Sequence, residues 1–205
     1  MCLRVFRPVH PSLAATSSAS IFLLIKIETM NPEDRALLVK KLHESRDALL
    51  EAIAQVSETQ AAFKPTPDCW SIGEVMEHLA VTEHGMYRLI SAHYEQLEGP
   101  AKIGREYEIL ETRGIDRSRK FTAPERVQPK GRYPSLAAAL AQFQSNRETT
   151  IRYIETCADD LRLRATNHPA GRMTCLECLA VLITHPLRHL AQIREVQQHS
   201  GYPPR

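Results

Sequence analysis

Two stretches of this chain open a helix in the same form, Ser71-Ile72-Gly73-Glu74 and Thr174-Cys175-Leu176-Glu177. In such a capping box the hydroxyl accepts from the backbone N–H three residues on. The glutamate there reaches back to the N–H of the cap, so two otherwise orphaned donors are satisfied. Trp70 before the first box and Val75 after it fit a hydrophobic staple. Each box leads into an apolar stripe of helical period. The stripes are Ile72, Val75, Met76, Leu79, Met86 and Ile90, and Leu176, Leu179, Leu182, Ile183, Leu187, Leu190 and Ile193. A third start is Asn31-Pro32-Glu33-Asp34, with a good N-cap, proline at the first helical position and acids on the positive end of the dipole. Its stripe is Leu38, Leu42, Leu49, Ile53 and Val56, and KPTPD at residues 64–68 reads as a rigid connector. A fourth helix follows Pro134, with Leu136, Leu140, Phe143, Ile151 and Ile154 on one face, and ends near Cys157.

Segments of period two are scarce, so the expected fold class is all-α. Residues 97–134 carry Gly99, Pro100, Gly104, Gly114, Pro124, Pro129, Gly131 and Pro134, which makes them a long connection with at most a short helix near residues 106–110. The predicted architecture is a four-helix bundle with a long crossover loop between helices two and three. A chain of 205 residues suffices for one such domain, placed at residues 30–200. Residues 1–29 are expected to be a disordered or extended N-terminal extension. The first 27 of them carry Arg4, Arg7 and Lys26 without an acid and resemble a targeting segment, while the strong helix start after Met30 favours an upstream extension outside the fold.

The net charge of +2, without a block of like charges, points away from nucleic acid or an anionic membrane as partner. The apolar run IFLLI at residues 21–25 is too short to cross a bilayer. Five cysteines, an odd number, are expected as reduced thiols in a cytoplasmic protein. Cys175 and Cys178 form a CxxC without a partner pair and read as helix packing.

Candidate chemistry rests on histidine spacing. His185 and His189 lie one helical turn apart on the flank of the last stripe, in a row with Cys178, Gln192 and Val196. His78 occupies the corresponding flank of the second helix, and Gly85 one heptad on would leave space beside it. Three imidazoles at about 2.1 Å from one divalent ion leave open positions for water or substrate. The competing reading is an ordinary polar face. His10, His43, His84, His93, His168 and His199 read as solvated or locally bonded. Gln192, otherwise an exposed amide, and Glu74, otherwise a cap, are candidates to orient a ligand ring or a bound water; Glu77 and Glu177 carry the same ambiguity as Glu74. Cys178 reads as a small core residue ahead of a fourth ligand. Pro186 sits between the paired histidines and clashes with the Leu182 carbonyl, which either splays the pair or frees that carbonyl for a water. Arg188 falls in the same interval, and its charge must point away from a cation. Arg113, Arg117, Arg119, Lys120, Lys130 and Arg132 form a basic loop, solvated or poised to meet an anionic thiol or carboxylate.

Taken in order, several motifs resemble the DinB/YfiT-like superfamily of metal-dependent bundle proteins. They are Trp70-Ser71-Ile72-Gly73-Glu74 with Glu77-His78-Leu79, Ala123-Pro124-Glu125 to Pro129-Lys130-Gly131, and His168-Pro169 with Gly171. Thr174-x-x-Glu177 and His185-x-x-x-His189-x-x-Gln192-Ile193 complete the set. The resemblance implies a four-helix bundle, a homodimer, and a divalent metal ion, zinc or nickel, on His78, His185 and His189. It also implies a small-molecule substrate such as a low-molecular-weight thiol, by analogy with thiol S-transferases and thiol-dependent isomerases. A tris-histidine ion can lower the pKa of bound water for hydrolysis or deprotonate a thiol for S-transfer. The expected function is therefore a metal-dependent thiol S-transferase or hydrolase with its catalytic residues unknown. The alternatives are a catalytically inactive metal- or ligand-binding bundle in a stress response, and a structural dimer whose histidines never meet.

Overall fold

The computed structural model describes residues 29–98, 105–118 and 121–205. The expectations for residues 1–28, Gly99, Pro100, Gly104, Arg119 and Lys120, and for the Arg113 side chain, lie outside the described residues. Four long helices dominate: α1 (Pro32–Ile53), α3 (Ile72–Ser91), α5 (Leu136–Thr156) and α6 (Cys175–Gln197). Each begins where its cap dictates. Asn31 accepts from Glu33 N–H, Ser135 from Ala138 N–H, and the Ser71–Glu74 and Thr174–Glu177 boxes are both closed reciprocally. α1 stops at Ile53, short of the expected end, because Ser57 and Gln60 form a further capping box that starts the short helix α2 (Glu58–Ala62). α3 packs against α5 and α6, and α1 packs against the same two. α1 and α3 thus lie across one diagonal of the bundle, α5 and α6 across the other.

Three short strands accompany the bundle: β1 (Glu95–Gln96), β2 (Arg164–His168) and β3 (Gly171–Thr174). They pair antiparallel in the order β1-β2-β3, with His168 opposite Gly171 across the turn. Pro169 and Ala170 form that hairpin turn, and Gly171, which opens β3, takes φ +116°, which a side chain would resist. Within the crossover, α4 (Arg105–Glu108) continues into a π-helical turn, Ile109–Arg113, and a 3-10 turn follows at Glu125–Val127. Gly114 ends the π-turn flush against α6; a Cβ there would lie 2.0 Å from Thr184 Oγ1, so the close approach requires glycine.

The apolar core has two parts. One gathers Leu38, Leu42, Met86, Ile90, Ile151, Ile154, Leu179 and Leu182. The other gathers Leu49, Ile72, Val75, Met76, Leu79, Phe143 and Ile193. Each such side chain taken from water contributes about 1.5–3 kcal/mol before entropy is counted. A polar layer separates the two parts. At its centre is Arg147, with no exposed surface, between Phe143 of one part and Ile151 of the other. Its guanidinium forks onto the buried Glu83 carboxylate (Nε–Oε1 2.7 Å, Nη2–Oε2 2.8 Å). Nη1 donates to Ser45 Oγ (2.8 Å) and the Leu42 carbonyl (3.0 Å), and Nη2 also donates to the Leu182 carbonyl (3.2 Å). One side chain of α5 thereby ties α1, α3 and α6 together.

That last bond accounts for Pro186, which lies inside an uninterrupted α6. Proline offers no N–H to the residue one turn earlier. The Leu182 carbonyl is released in a buried position, where a missing partner costs about 1–3 kcal/mol. Arg147 supplies a donor to it.

Candidate metal centre

His78 on α3 and His185 and His189 on α6 come together within this polar layer. Their candidate ligand nitrogens all lie within 4.8 Å of one another. His185 Nε2 is 3.3 Å from His78 Nε2 and 3.1 Å from His189 Nε2, and the ring centroids are 4.6 to 5.1 Å apart. His78 and His189 are buried and His185 is half-buried.

The other nitrogen of each ring decides the tautomer. His78 Nδ1–H donates to the Val127 carbonyl (2.7 Å), which has no proton to give. His189 Nδ1–H donates to Gln192 Oε1 (2.9 Å). The Thr82 hydroxyl directs its proton to the His78 and Leu79 carbonyls, so its oxygen accepts from His185 Nδ1–H at 3.4 Å. Every Nδ1 is therefore a donor and every Nε2 presents a lone pair to the same point. Three lone pairs in mutual contact repel unless a positive charge lies between them. Ligands at about 2.1 Å in tetrahedral array stand about 3.4 Å apart, close to the two spacings seen here. The donor set and geometry fit a divalent ion.

The crossover loop is fastened to the same turn of α3. Glu77, next to His78, is buried and accepts from Lys130 N–H (2.7 Å), Gly131 N–H (2.9 Å), Arg132 N–H (3.2 Å) and Arg132 Nη1 (2.5 Å). Gly131 takes φ +72° in this clasp. Burial alone would raise the Glu77 pKa, but these donors outweigh it and hold the carboxyl below its ordinary range. The clasp places Val127 against His78. Glu77→Gln is expected to lower stability by about 2 kcal/mol, since charged hydrogen bonds carry about 1.5–3 kcal/mol each. Trypsin should then cut faster at Lys130 and Arg132, and unchanged cleavage would show that the loop is held by other contacts.

Trp70 walls the cluster, its ring 5.0 Å from His78 and nearly parallel to His189 at 6.4 Å, while it also packs on the core part that contains Val75. Glu74 is engaged in its cap and with Lys64 Nζ (3.1 Å). Glu177 closes its cap and pairs with Arg105 (3.3 Å). Cys178 is wholly buried in the apolar core, and burial pushes its thiol up to about 12; Cys175 behaves alike. Gly85 faces open space and makes no room for His78. Arg117 clasps Glu195 (2.7 Å) and reaches the Arg188 carbonyl (3.4 Å); Arg188 lies over the exposed Phe121 ring at 5.3 Å. Lys130 Nζ pairs with Glu125. His93 meets Arg88, His168 Nδ1 accepts from Ala170 N–H, and His199 Nδ1 accepts from Gly201 N–H. A groove of about 330 Å³ runs beside the clasped loop along Ser71, Gly73, Tyr133 and Leu136, and none of the three histidines lines it.

Residues 41–193 match the sequence profile of the DinB superfamily. The chain belongs to this superfamily. The "Uncharacterized protein YuaE" of Bacillus subtilis (strain 168) is 22% identical over 157 residues, covering 76% of this chain and 94% of that protein. Among solved structures, the fold is similar to that of YfiT from Bacillus subtilis, described as "a probable metal-dependent hydrolase with an unusual four-helix bundle topology". It is similar with a TM-score of 0.55 and 18% identity, covering 85% of this chain and 92% of YfiT. Among the described residues, no helix of this DinB-superfamily chain is long and apolar enough to cross a membrane.

Thr82, Val127, Glu83 and Arg147 escape the sequence reading of the site. Thr82 lies one turn after His78, and Arg147 interrupts an apolar stripe one turn from Phe143 and from Ile151, so two of these carry a readable signal. Val127 acts through its carbonyl, which no side-chain pattern reveals.

Burial depresses all three imidazoles, and repulsion from the neighbouring rings adds to it at His185 and His189. His189 falls to about 3 from an ordinary value near 6.5, His185 falls well below that value, and His78 is lowered. The folded chain refuses protons that the unfolded chain accepts below pH 6.5. The contribution of these groups to metal-free stability is therefore full above about 6.5 and lost as pH falls toward about 3. Urea midpoints of the metal-free protein should drop between pH 7 and pH 5; a flat profile would contradict neutral buried rings.

Proposed function

We propose that this chain is a divalent-metal-dependent enzyme of the hydrolase or thiol S-transferase type, with the ion, zinc or nickel, held by His78, His185 and His189. The observation that carries the reading is the common tautomer: three Nδ1–H groups engaged by Val127, Thr82 and Gln192 and three Nε2 lone pairs left converging. The description of YfiT as metal-dependent supports it by analogy. An ion so held acts as a Lewis acid toward a coordinating water or thiol. The chain's own groups orient and shield: Gln192 and Thr82 fix two rings, Trp70 excludes solvent from one side, and the Glu77 clasp keeps Val127 in place. Arg117 and Arg188 add positive charge near the rings and favour an anionic small molecule, a low-molecular-weight thiol or carboxylate.

A second reading, a metal- or ligand-binding bundle without turnover, draws support from the commitment of Glu74, Glu77 and Glu177 to caps and the clasp. One experiment separates the two. Tag-free, zinc- or nickel-loaded protein is assayed for thiol conjugation to electrophiles and for ester and amide hydrolysis. Turnover that a chelator abolishes and the ion restores is the expected result; bound ion without turnover on any of these would favour the second reading.

A further inference from the structure

We propose that the Arg147–Glu83 pair is a positioning device for the histidine cluster, holding the two ligand-bearing helices at one spacing and fixing the backbone of α6 between Leu182 and His189. The inference rests on the reading of the cluster as a metal centre. Glu83 is on α3, next to Thr82, which holds His185, and five residues after His78. Leu182 is on α6, three residues before His185. A single nitrogen, Arg147 Nη2, donates to both Glu83 Oε2 (2.8 Å) and the Leu182 carbonyl (3.2 Å). One rigid guanidinium therefore sets the separation of α3 and α6 beside the three rings.

Pro186 makes the arrangement specific. With alanine there, the Leu182 carbonyl would take its ordinary intrahelical partner. With proline, it is free to accept across the bundle, and α6 is anchored to α5 and α3 just before its first histidine. A buried ion pair is a weak source of net stability, and apolar residues of similar volume often replace one without loss. A role in placing the rings accounts for a pair that folding alone does not require.

The test uses the full chain with the paired substitution Glu83→Leu/Arg147→Met and, separately, Pro186→Ala. Metal-free melting reports the fold, chelator competition reports zinc affinity, and the visible d–d bands of the cobalt(II)-loaded protein report ligand geometry. The paired variant is expected to melt near the wild type yet bind zinc roughly 10- to 100-fold more weakly, the range seen when groups that orient metal ligands are removed. Its cobalt bands should shift. Pro186→Ala should also shift the cobalt bands, while melting no lower than the wild type. Should the paired variant fail to fold, the proline variant decides alone. Wild-type zinc affinity and an unchanged cobalt spectrum in the folded variants would overturn the positioning role and leave the metal centre standing. A wild-type chain that takes up neither ion would overturn both.

Discussion

Arg147→Met on its own is expected to destabilise the protein by about 3–5 kcal/mol, the range for removing one partner of a buried ion pair. At roughly 2–4 °C per kcal/mol for a domain of this size, the melting temperature should fall by roughly 6–20 °C. The loss has two physical sources. The Glu83 carboxylate remains buried without its counter-charge; burial already pushes its pKa up, and Arg147 is the main opposing influence. The Leu42 and Leu182 carbonyls and Ser45 Oγ also lose their shared donor. Adding Glu83→Leu to Arg147→Met should recover most of the loss, because the uncompensated charge is then gone. Thermal and urea unfolding of both variants measure the difference. A single variant as stable as the wild type would mean that water or a rearranged core reaches Glu83, and the tie between the helices would be without energetic weight.

His185→Ala is expected to reduce bound zinc from about one ion per chain to near none. His185 Nε2 contacts both other rings, so its loss leaves only two nitrogens to hold the ion. An ion present at 100 times its dissociation constant stabilises the folded state by about 2.7 kcal/mol. Zinc should therefore raise wild-type melting by roughly 5–10 °C. The alanine variant should show no such rise, and its metal-free melting should change little, since three crowded lone pairs become two. Elemental analysis of tag-free protein and melting with and without zinc read both effects. Zinc that still stabilises the variant as it does the wild type would place the ion elsewhere.

The four long helices were legible because their starts are chemical. Asn31, Ser71, Ser135 and Thr174 each cap a helix at the residue that the pattern indicates. The strands were not, because Glu95, Gln96 and the run Arg164-Ala165-Thr166-Asn167-His168 carry no apolar alternation; their pairing is imposed by the hairpin turn and by packing on the bundle. Helical spacing was enough to put His185 and His189 on one row, and the flank position of His78 to bring it to them. The partners that orient the rings come from a loop carbonyl, a threonine and a glutamine in different parts of the chain, and only the folded backbone assembles them. Glu74 and Glu77 have the same residue type and lie three positions apart, yet one closes a cap and the other clasps a loop. Composition cannot separate such roles, because they depend on which backbone N–H groups arrive.

The division of the core has a mechanical consequence. Apolar side chains are interchangeable partners, and a bundle filled with them from end to end can slip lengthwise by one turn and still bury most of its surface. Here such a slip would carry Arg147 and Glu83 off one another and into hydrocarbon, and part the histidines as well. The charged tier acts as a key in a slot: it leaves the four helices one axial alignment, and the alignment it leaves is the one in which the imidazoles meet.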